Sequence, residues 1–213
     1  MKAMTSSEDD ETEALIERIR LGDDQALGAL FERYRPRLNR MVEARLDPRA
    51  RTRVSAADVV QDIYIDAVKR IEHFRAKPMM SFFAWIRWVA NQRIIDVHRR
   101  HLGARMRDAG QEWSLDRPMS VGIHSSWLAD QLAGSFTSPS EAVMKGEILA
   151  RLEHSLETLA SADRELLALR HFEELSNLEV AEILGITPAA ASKRYVRALK
   201  RLKDLMADTP TSP

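Results

Sequence analysis

The stretch from Leu175 to Leu202, LSNLEVAEILGITPAAASKRYVRALKRL, constrains this chain more than any other. Ser176 and Glu179 form the pattern Ser-x-x-Glu, a capping box that satisfies the orphan N–H groups of a helix start. Val180, Ala181, Ile183 and Leu184 follow at the spacing of a buried helical stripe. Gly185 stands where the helix must stop and the backbone must turn, a place where glycine is favoured. Thr187-Pro188 starts a second helix, with Thr as N-cap and Pro at the first helical position. Ala181, four residues before Gly185, is small enough to let two helices approach closely, as a helix-turn-helix requires. Lys193, Arg194, Arg197, Lys200, Arg201 and Lys203 then load the second helix with positive charge, and no acidic residue lies between Glu182 and Asp204. A polar hairpin on a solvated surface would share the periodicity. The two caps, the turn and the one-sided charge agree on a DNA-reading unit instead.

The rest of the chain also reads as helical. Aromatic residues are few and β-branched runs are rare, so strands are not expected. At 213 residues the chain can hold one or two domains. Formal net charge is zero, but the charge is segregated. Glu8 to Glu13 is acidic, Arg35 to Arg53 holds seven Arg against Glu43 and Asp47, and Arg87 to Arg107 holds six Arg against Asp96. Basic faces on a neutral protein point to localised contact with phosphates. There is no Cys, which removes disulfides and thiolate metal sites and fits a reducing cytoplasm. The first 25 residues carry no apolar signal segment. The most apolar run, Phe82 to Ala90, is interrupted by Arg87 and is far short of the roughly 20 residues a membrane span needs.

Along the chain, Met1 to Asp10 reads as a disordered tail. Glu13 to Arg33 reads as a helix broken in two at Leu21-Gly22-Asp23. Pro36 predicts a kink or a fresh helix start, and Asp47-Pro48 a turn. Ser55 to Phe74 is expected as one strong helix, with Ser55 as N-cap and Asp58 at its third position. Ala76-Lys77-Pro78 ends it, and Ser81 starts another helix running to about Arg107. Asp108 to Pro139 lacks a steady period and reads as a flexible linker, in which Trp113, Trp127, Leu128 and Leu132 could dock. Periodicity returns over Ser140 to Leu159, Asp163 to Phe172 and the helix-turn-helix. These form a second domain of about 65 residues, small enough to fold only marginally alone.

Three blocks in this order resemble one family. Ala57-Asp58-Val59-Val60-Gln61-Asp62 is similar to the D-[LV]-V-Q-[DE] signature of bacterial RNA polymerase sigma factors, in the extracytoplasmic-function (ECF) group of the sigma-70 family. Phe82-Phe83-Ala84-Trp85-Ile86, with Val89-Ala90 and Ile95-Asp96, resembles that family's F-x-x-W-[LI] and I-A-x-N-x-x-x-D pattern. Leu159 to Leu202 is similar to the σ4 pattern through Arg164, Leu169-Arg170, Leu175-Ser176, Glu179-Val180-Ala181, Leu184-Gly185 and Arg194. The match spans residues 11 to 206 apart from the linker. Departures occur at Gln92, where Asn is usual, at Ala160, where Pro is common, and at Pro188-Ala189-Ala190-Ala191, which replaces x-G-T-V.

The resemblance implies an all-α protein of two small helical domains, σ2-like over 11–108 and σ4-like over 140–207, joined by the 109–139 linker and ending in a 208–213 tail. It implies core RNA polymerase and promoter DNA as partners, with an anti-sigma factor as a further one. The polymerase-facing set is Asp58, Val59, Gln61, Asp62 and Asp66. Asp58, Asp62 and Asp66 share a helix face by their spacing of four; spacing alone favours a solvated acidic stripe, and the resemblance reverses that. For the −10 element, unpaired bases need stacking surfaces and nearby cations. The expected residues are Phe74, Phe82, Trp88, Gln92, Arg93, Arg99 and Arg100, with the loop from Phe74 to Phe82 as the pocket. For the −35 element they are Ala189, Ala190, Ser192, Lys193, Arg194, Arg197, Lys200 and Arg201. Arg can read guanine edges, whereas Lys200, Arg201 and Lys203 lie where phosphate contact is expected. Tyr195, Val196 and Leu199 are expected to include the buried side of that helix.

No catalytic role, cofactor or metal is expected. His98 and His101 are three apart on a helix, but Arg99 and Arg100 between them oppose a cation. No Gly-rich phosphate loop, nucleophile elbow or HExxH is present. The alternative is a stand-alone helix-turn-helix regulator that binds duplex DNA as a dimer, with the first 108 residues as a sensor.

Overall fold

Leu21-Gly22-Asp23 breaks the first apolar stripe into two helices, α1 (Ser6–Arg20) and α2 (Gln25–Arg45). Gly22 takes a φ of 101°, a left-handed value that glycine adopts without a Cβ clash. Asp23 closes the turn, accepting from Arg18 at 2.9 Å and from the Gln25 amide at 2.9 Å. The computed structural model describes residues 6–78, 80–102, 125, 128–129 and 141–208. Among them every regular element is a helix, and the chain divides into two compact units, Met1–Leu115 and Asp116–Pro213.

The first unit continues with α3 (Pro48–Arg51), α4 (Ala56–Lys69), α5 (Ile71–Arg75) and α6 (Phe82–Leu102). Asp47 caps α3, its carboxylate accepting from the Arg49 amide at 2.8 Å. A full capping box opens α4: the Asp58 amide donates to Ser55 Oγ at 3.1 Å, and the Ser55 amide to Asp58 Oδ2 at 3.3 Å. α2 packs on α1, α4 and α6, and α3 and α4 also pack on α6. Leu30, Phe31, Met41, Val59, Ile63, Trp85 and Ile86 form the centre of the core. His98 is buried beside α3, and its Nε2 accepts from the Asp47 amide at 3.0 Å.

The second unit holds α7 (Glu141–Thr158), α8 (Ser161–His171), α9 (Asn177–Leu184) and α10 (Pro188–Asp208). α7, α8 and α9 all pack on α10. Leu156, Leu166, Leu169, Val180, Ala191 and Ala198 are fully or almost fully buried. Arg164 closes the end of α7 by donating to the carbonyls of Leu156 and Glu157, both at 2.8 Å. It thereby satisfies acceptors that every helix end leaves open.

Four expectations change. Helix α1 begins at Ser6, so the disordered tail is corrected for residues 6–10; acidic residues near a helix start complement its dipole. Residues 1–5 lie outside the described residues. α2 runs without interruption through Pro36, because Leu27, Leu30 and Phe31 before it and Leu38, Met41 and Val42 after it stay on one buried stripe. The Ser55–Phe74 helix is two helices, broken at Arg70, whose φ of −113° and ψ of 10° leave the helical region. Leu128 and Ala129, within the expected linker, are helical and buried. The remainder of 109–139, and residues 103–107 at the expected end of α6, lie outside the described residues apart from Ser125.

Candidate functional site

The helix-turn-helix of the second unit is built as its residue pattern requires. Ser176 and Glu179 form the capping box, with the Ser176 amide donating to Glu179 Oε2 at 2.7 Å. Gly185 closes α9 in the left-handed region, at φ 63° and ψ 35°. The Ile186 amide then reaches back to the Ala181 carbonyl at 3.0 Å, the bond of a Schellman turn. Thr187 Oγ1 accepts from the Ala190 amide at 3.2 Å to cap α10. Asn177 ties the two helix starts together by donating to the Pro188 carbonyl at 2.8 Å.

Ala189, Ser192, Lys193, Arg197, Lys200 and Arg201 are exposed on α10, and Ala190 is half-buried. Lys193, Arg197, Lys200 and Arg201 form no ion pair among the described residues. Arg194 differs: its Nε donates to Asp163 Oδ1 of α8 at 2.9 Å, an ion pair that locks α10 against α8. Asp163, Ile186, Ala190, Arg194, Arg197 and Arg201 line one shallow groove, and Ser192, Lys193, Val196 and Arg197 another. Tyr195 turns to α8, where its hydroxyl meets His171 Nε2 at 2.8 Å and Arg170 lies over its ring. Val196 and Leu199 are exposed, which corrects their expected place on the buried side; Ala191 and Ala198 occupy that side.

In the first unit, the acidic stripe of α4 is not uniform. Asp58 is exposed, but its carboxylate is engaged in the capping box. Gln61 is exposed, and Asp62 is partly exposed with Arg93 3.7 Å away. Asp66 is largely buried and accepts from Arg93 Nε at 2.8 Å. Val59 is fully buried, so it belongs to the core and not to a contact surface. Ile65, which pattern reading passed over, and Val68, which that reading groups with the apolar residues of the helix, are both exposed beside Gln61. A period anchored on Val59, Val60, Ile63 and Ala67 would have found them.

The aromatic set separates cleanly. Phe74 and Phe82 are fully buried, which corrects their placement in a DNA pocket. Phe74 meets Phe82 edge-on with ring centroids 5.5 Å apart, and both pack on Trp85. Trp88 is the partly exposed member, stacked on His73 at 5.3 Å with Arg70 over its ring. Gln92 is half-buried, one turn along the helix. Arg99 and Arg100 are exposed near the end of α6, Arg99 lying 3.9 Å from Asp96. Arg93, tied to Asp66, joins α4 to α6. The loop between α5 and α6 is held from α1: Arg20 donates to the Pro78 carbonyl at 2.7 Å. Arg75 donates to the Ile19 carbonyl at 2.8 Å and pairs with Asp24 at 2.6 Å. Neither Arg20 nor Arg75 carries a motif that would have marked it. No group of three His, Asp or Glu able to hold a metal ion occurs among the described residues, and no helix there is long and apolar enough to cross a membrane.

An all-helical chain with a capped helix-turn-helix and a cationic second helix defines a DNA-binding transcription protein. Residues 9–208 match the ECF sigma factor family, and the chain belongs to it. It is 28% identical over 192 residues to the ECF RNA polymerase sigma factor SigD of Mycobacterium tuberculosis, covering 90% of this chain and 82% of SigD. It is 22% identical over 193 residues to SigW of Bacillus subtilis, covering 91% of this chain and 95% of SigW. Among solved structures it resembles CnrH in complex with the cytosolic domain of CnrY, with a TM-score of 0.52 and 22% identity over 92% of this chain and 97% of that one. That likeness supports the fold. The chain is therefore a sigma factor acting in transcription initiation, a regulator by class, and the stand-alone dimeric regulator is set aside.

Proposed function

We propose that the two units divide the work of promoter recognition, the first (σ2, 11–108) binding core RNA polymerase and the −10 element and the second (σ4, 140–207) reading the −35 element. The supporting observation is α10: an exposed cationic face, presented by a helix-turn-helix, with no carboxylate from Ile183 to Lys203. Lys193 and Arg197 lie in its N-terminal half, where base edges are reached, and Lys200 and Arg201 follow where phosphates lie. Arg194 acts on this face by fixing α10 against α8.

On the first unit, Gln61 and Asp62 are the accessible part of the polymerase-facing stripe, with Asp58 holding the helix start and Asp66 holding Arg93. Trp88, Gln92, Arg99 and Arg100 are the remaining −10 candidates on α6. An anti-sigma factor is a third partner in this reading, motivated by CnrH, solved with the cytosolic domain of CnrY. The protein works in the cytoplasm, beside the polymerase, and contributes binding rather than catalysis.

Capture of core RNA polymerase by the full chain tests the assignment. The variant combines Gln61→Arg and Asp62→Arg and leaves Asp58 in its capping box. Wild-type capture lost in a variant of unchanged helicity is the expected result. Equal capture by both would remove the polymerase contact from α4.

A further inference from the structure

Val196 is an apolar side chain at the centre of the outward face of α10. At about 100° per residue, Ala191, Ala198 and Leu205 mark the inward side of this helix, and Val196 falls opposite them. It is 64% exposed. Packing gives it no reason to be apolar, and a β-branched residue forms helix less readily than the Lys and Arg around it. Lys193 and Arg197 flank it, and together with Ser192 the four line one shallow groove. Val196 is the ninth of the 21 residues of α10, within the N-terminal half that a recognition helix lays in the major groove.

We propose that Val196 is a sequence-reading residue, making an apolar contact with the C5-methyl of one thymine in the duplex element that α10 binds. The surface asks for a ligand that is strongly anionic and yet offers an apolar contact of methyl size. Duplex DNA supplies both, phosphates along the groove walls and the thymine methyl on the groove floor. The inference rests on α10 being the −35 reader and adds which base feature it reads.

The test uses the full chain assembled with core RNA polymerase. A pool of randomised duplex DNA yields the bound −35 element, and each thymine in that element is then replaced by deoxyuridine, which removes only the methyl group. At one position the replacement is expected to weaken wild-type binding about fourfold, the value of one buried methyl-sized group. Val196→Ala, an exposed change that leaves the core untouched, is expected to bind the thymine duplex about fourfold more weakly and to lose dependence on that methyl. Wild-type binding indifferent to every methyl, or a Val196→Ala protein that keeps the full dependence, overturns the proposal. So does weakened polymerase assembly by Val196→Ala with methyl dependence intact in the assembly that still forms, which would place Val196 at a protein interface. A wild-type assembly that forms but enriches no −35 element overturns the underlying assignment of α10 itself, a result distinct from the others.

Discussion

Glu174 stands in the left-handed region, at φ 54°, as the non-glycine residue with positive φ among those described. It lies in the turn between α8 and α9, where the chain reverses toward the helix-turn-helix. Such a backbone costs an L-residue about 1–2 kcal/mol, and glycine returns part of that through its own entropy, about 0.5–1 kcal/mol. Glu174→Gly relieves that backbone and also removes the side chain's own interaction, so it is expected to leave the second unit within about 1 kcal/mol of wild type, read from urea denaturation. Nearby, His171 keeps an exposed edge but packs its ring on Tyr195, and this partial desolvation first and the Arg170 charge second hold it below the ordinary histidine range. The unfolded chain then takes the proton first, so the stability tied to neutral His171 is complete above about pH 6.5 and is lost as the pH falls below it. His73 has the same sign, from burial and then from Lys77 and Arg70. His171→Gln is expected to flatten part of the decline in stability between about pH 7 and pH 5, measured by denaturation at both ends. Single residues were also where the amino-acid pattern misled most. Phe74 and Phe82 lie close to cations in sequence, and only packing distinguishes a core ring from a stacking surface. Val196 reads as core because it is large and apolar, whereas the small Ala191 and Ala198 mark the face that packs.

At the scale of elements, caps were the most legible features. Ser55 with Asp58 and Ser176 with Glu179 satisfy their own helix starts within four residues, so no tertiary information is needed to find them. Breaks and continuities set by packing were less legible. Pro36 removes one helical hydrogen bond, but the buried stripe on both sides of it holds α2 together. Arg70 ends α4 with no glycine or proline to announce it. The Arg93–Asp66 pair is equally silent in sequence, because its members are twenty-seven residues apart and on different helices. It joins α4 to α6 with both side chains largely buried. Arg93→Ala would leave the Asp66 carboxylate without its donor and is expected to cost about 1.5–3 kcal/mol. Arg100→Ala, on an exposed stretch of the same helix, is expected to leave the melting temperature within about a degree or two of wild type. Thermal unfolding of the two variants side by side separates arginine that holds the fold from arginine on the exposed surface of α6.

Across the whole molecule, a net charge of zero conceals a chain with separated faces. DNA association is governed by the local face and not by the sum, so it should depend steeply on salt. Lys200→Gln is expected to reduce the slope of log K against log salt by roughly 0.9, one phosphate contact, and to weaken all promoter sequences alike. Titrating the holoenzyme against promoter duplex at several salt concentrations checks this; a slope identical to wild type would remove Lys200 from the phosphate contacts. The architecture also sets where the molecule can be cut. Arg20 at the end of α1 and Arg75 at the end of α5 fasten the segment before α6 to the first turn of the chain. A fragment trimmed to begin at α2 would keep most of the motif residues of the first unit and lose all three of those fastenings, to Arg20, to the Ile19 carbonyl and to Asp24. The smallest piece that presents the native loop therefore includes α1, more than fifty residues upstream of the loop it anchors.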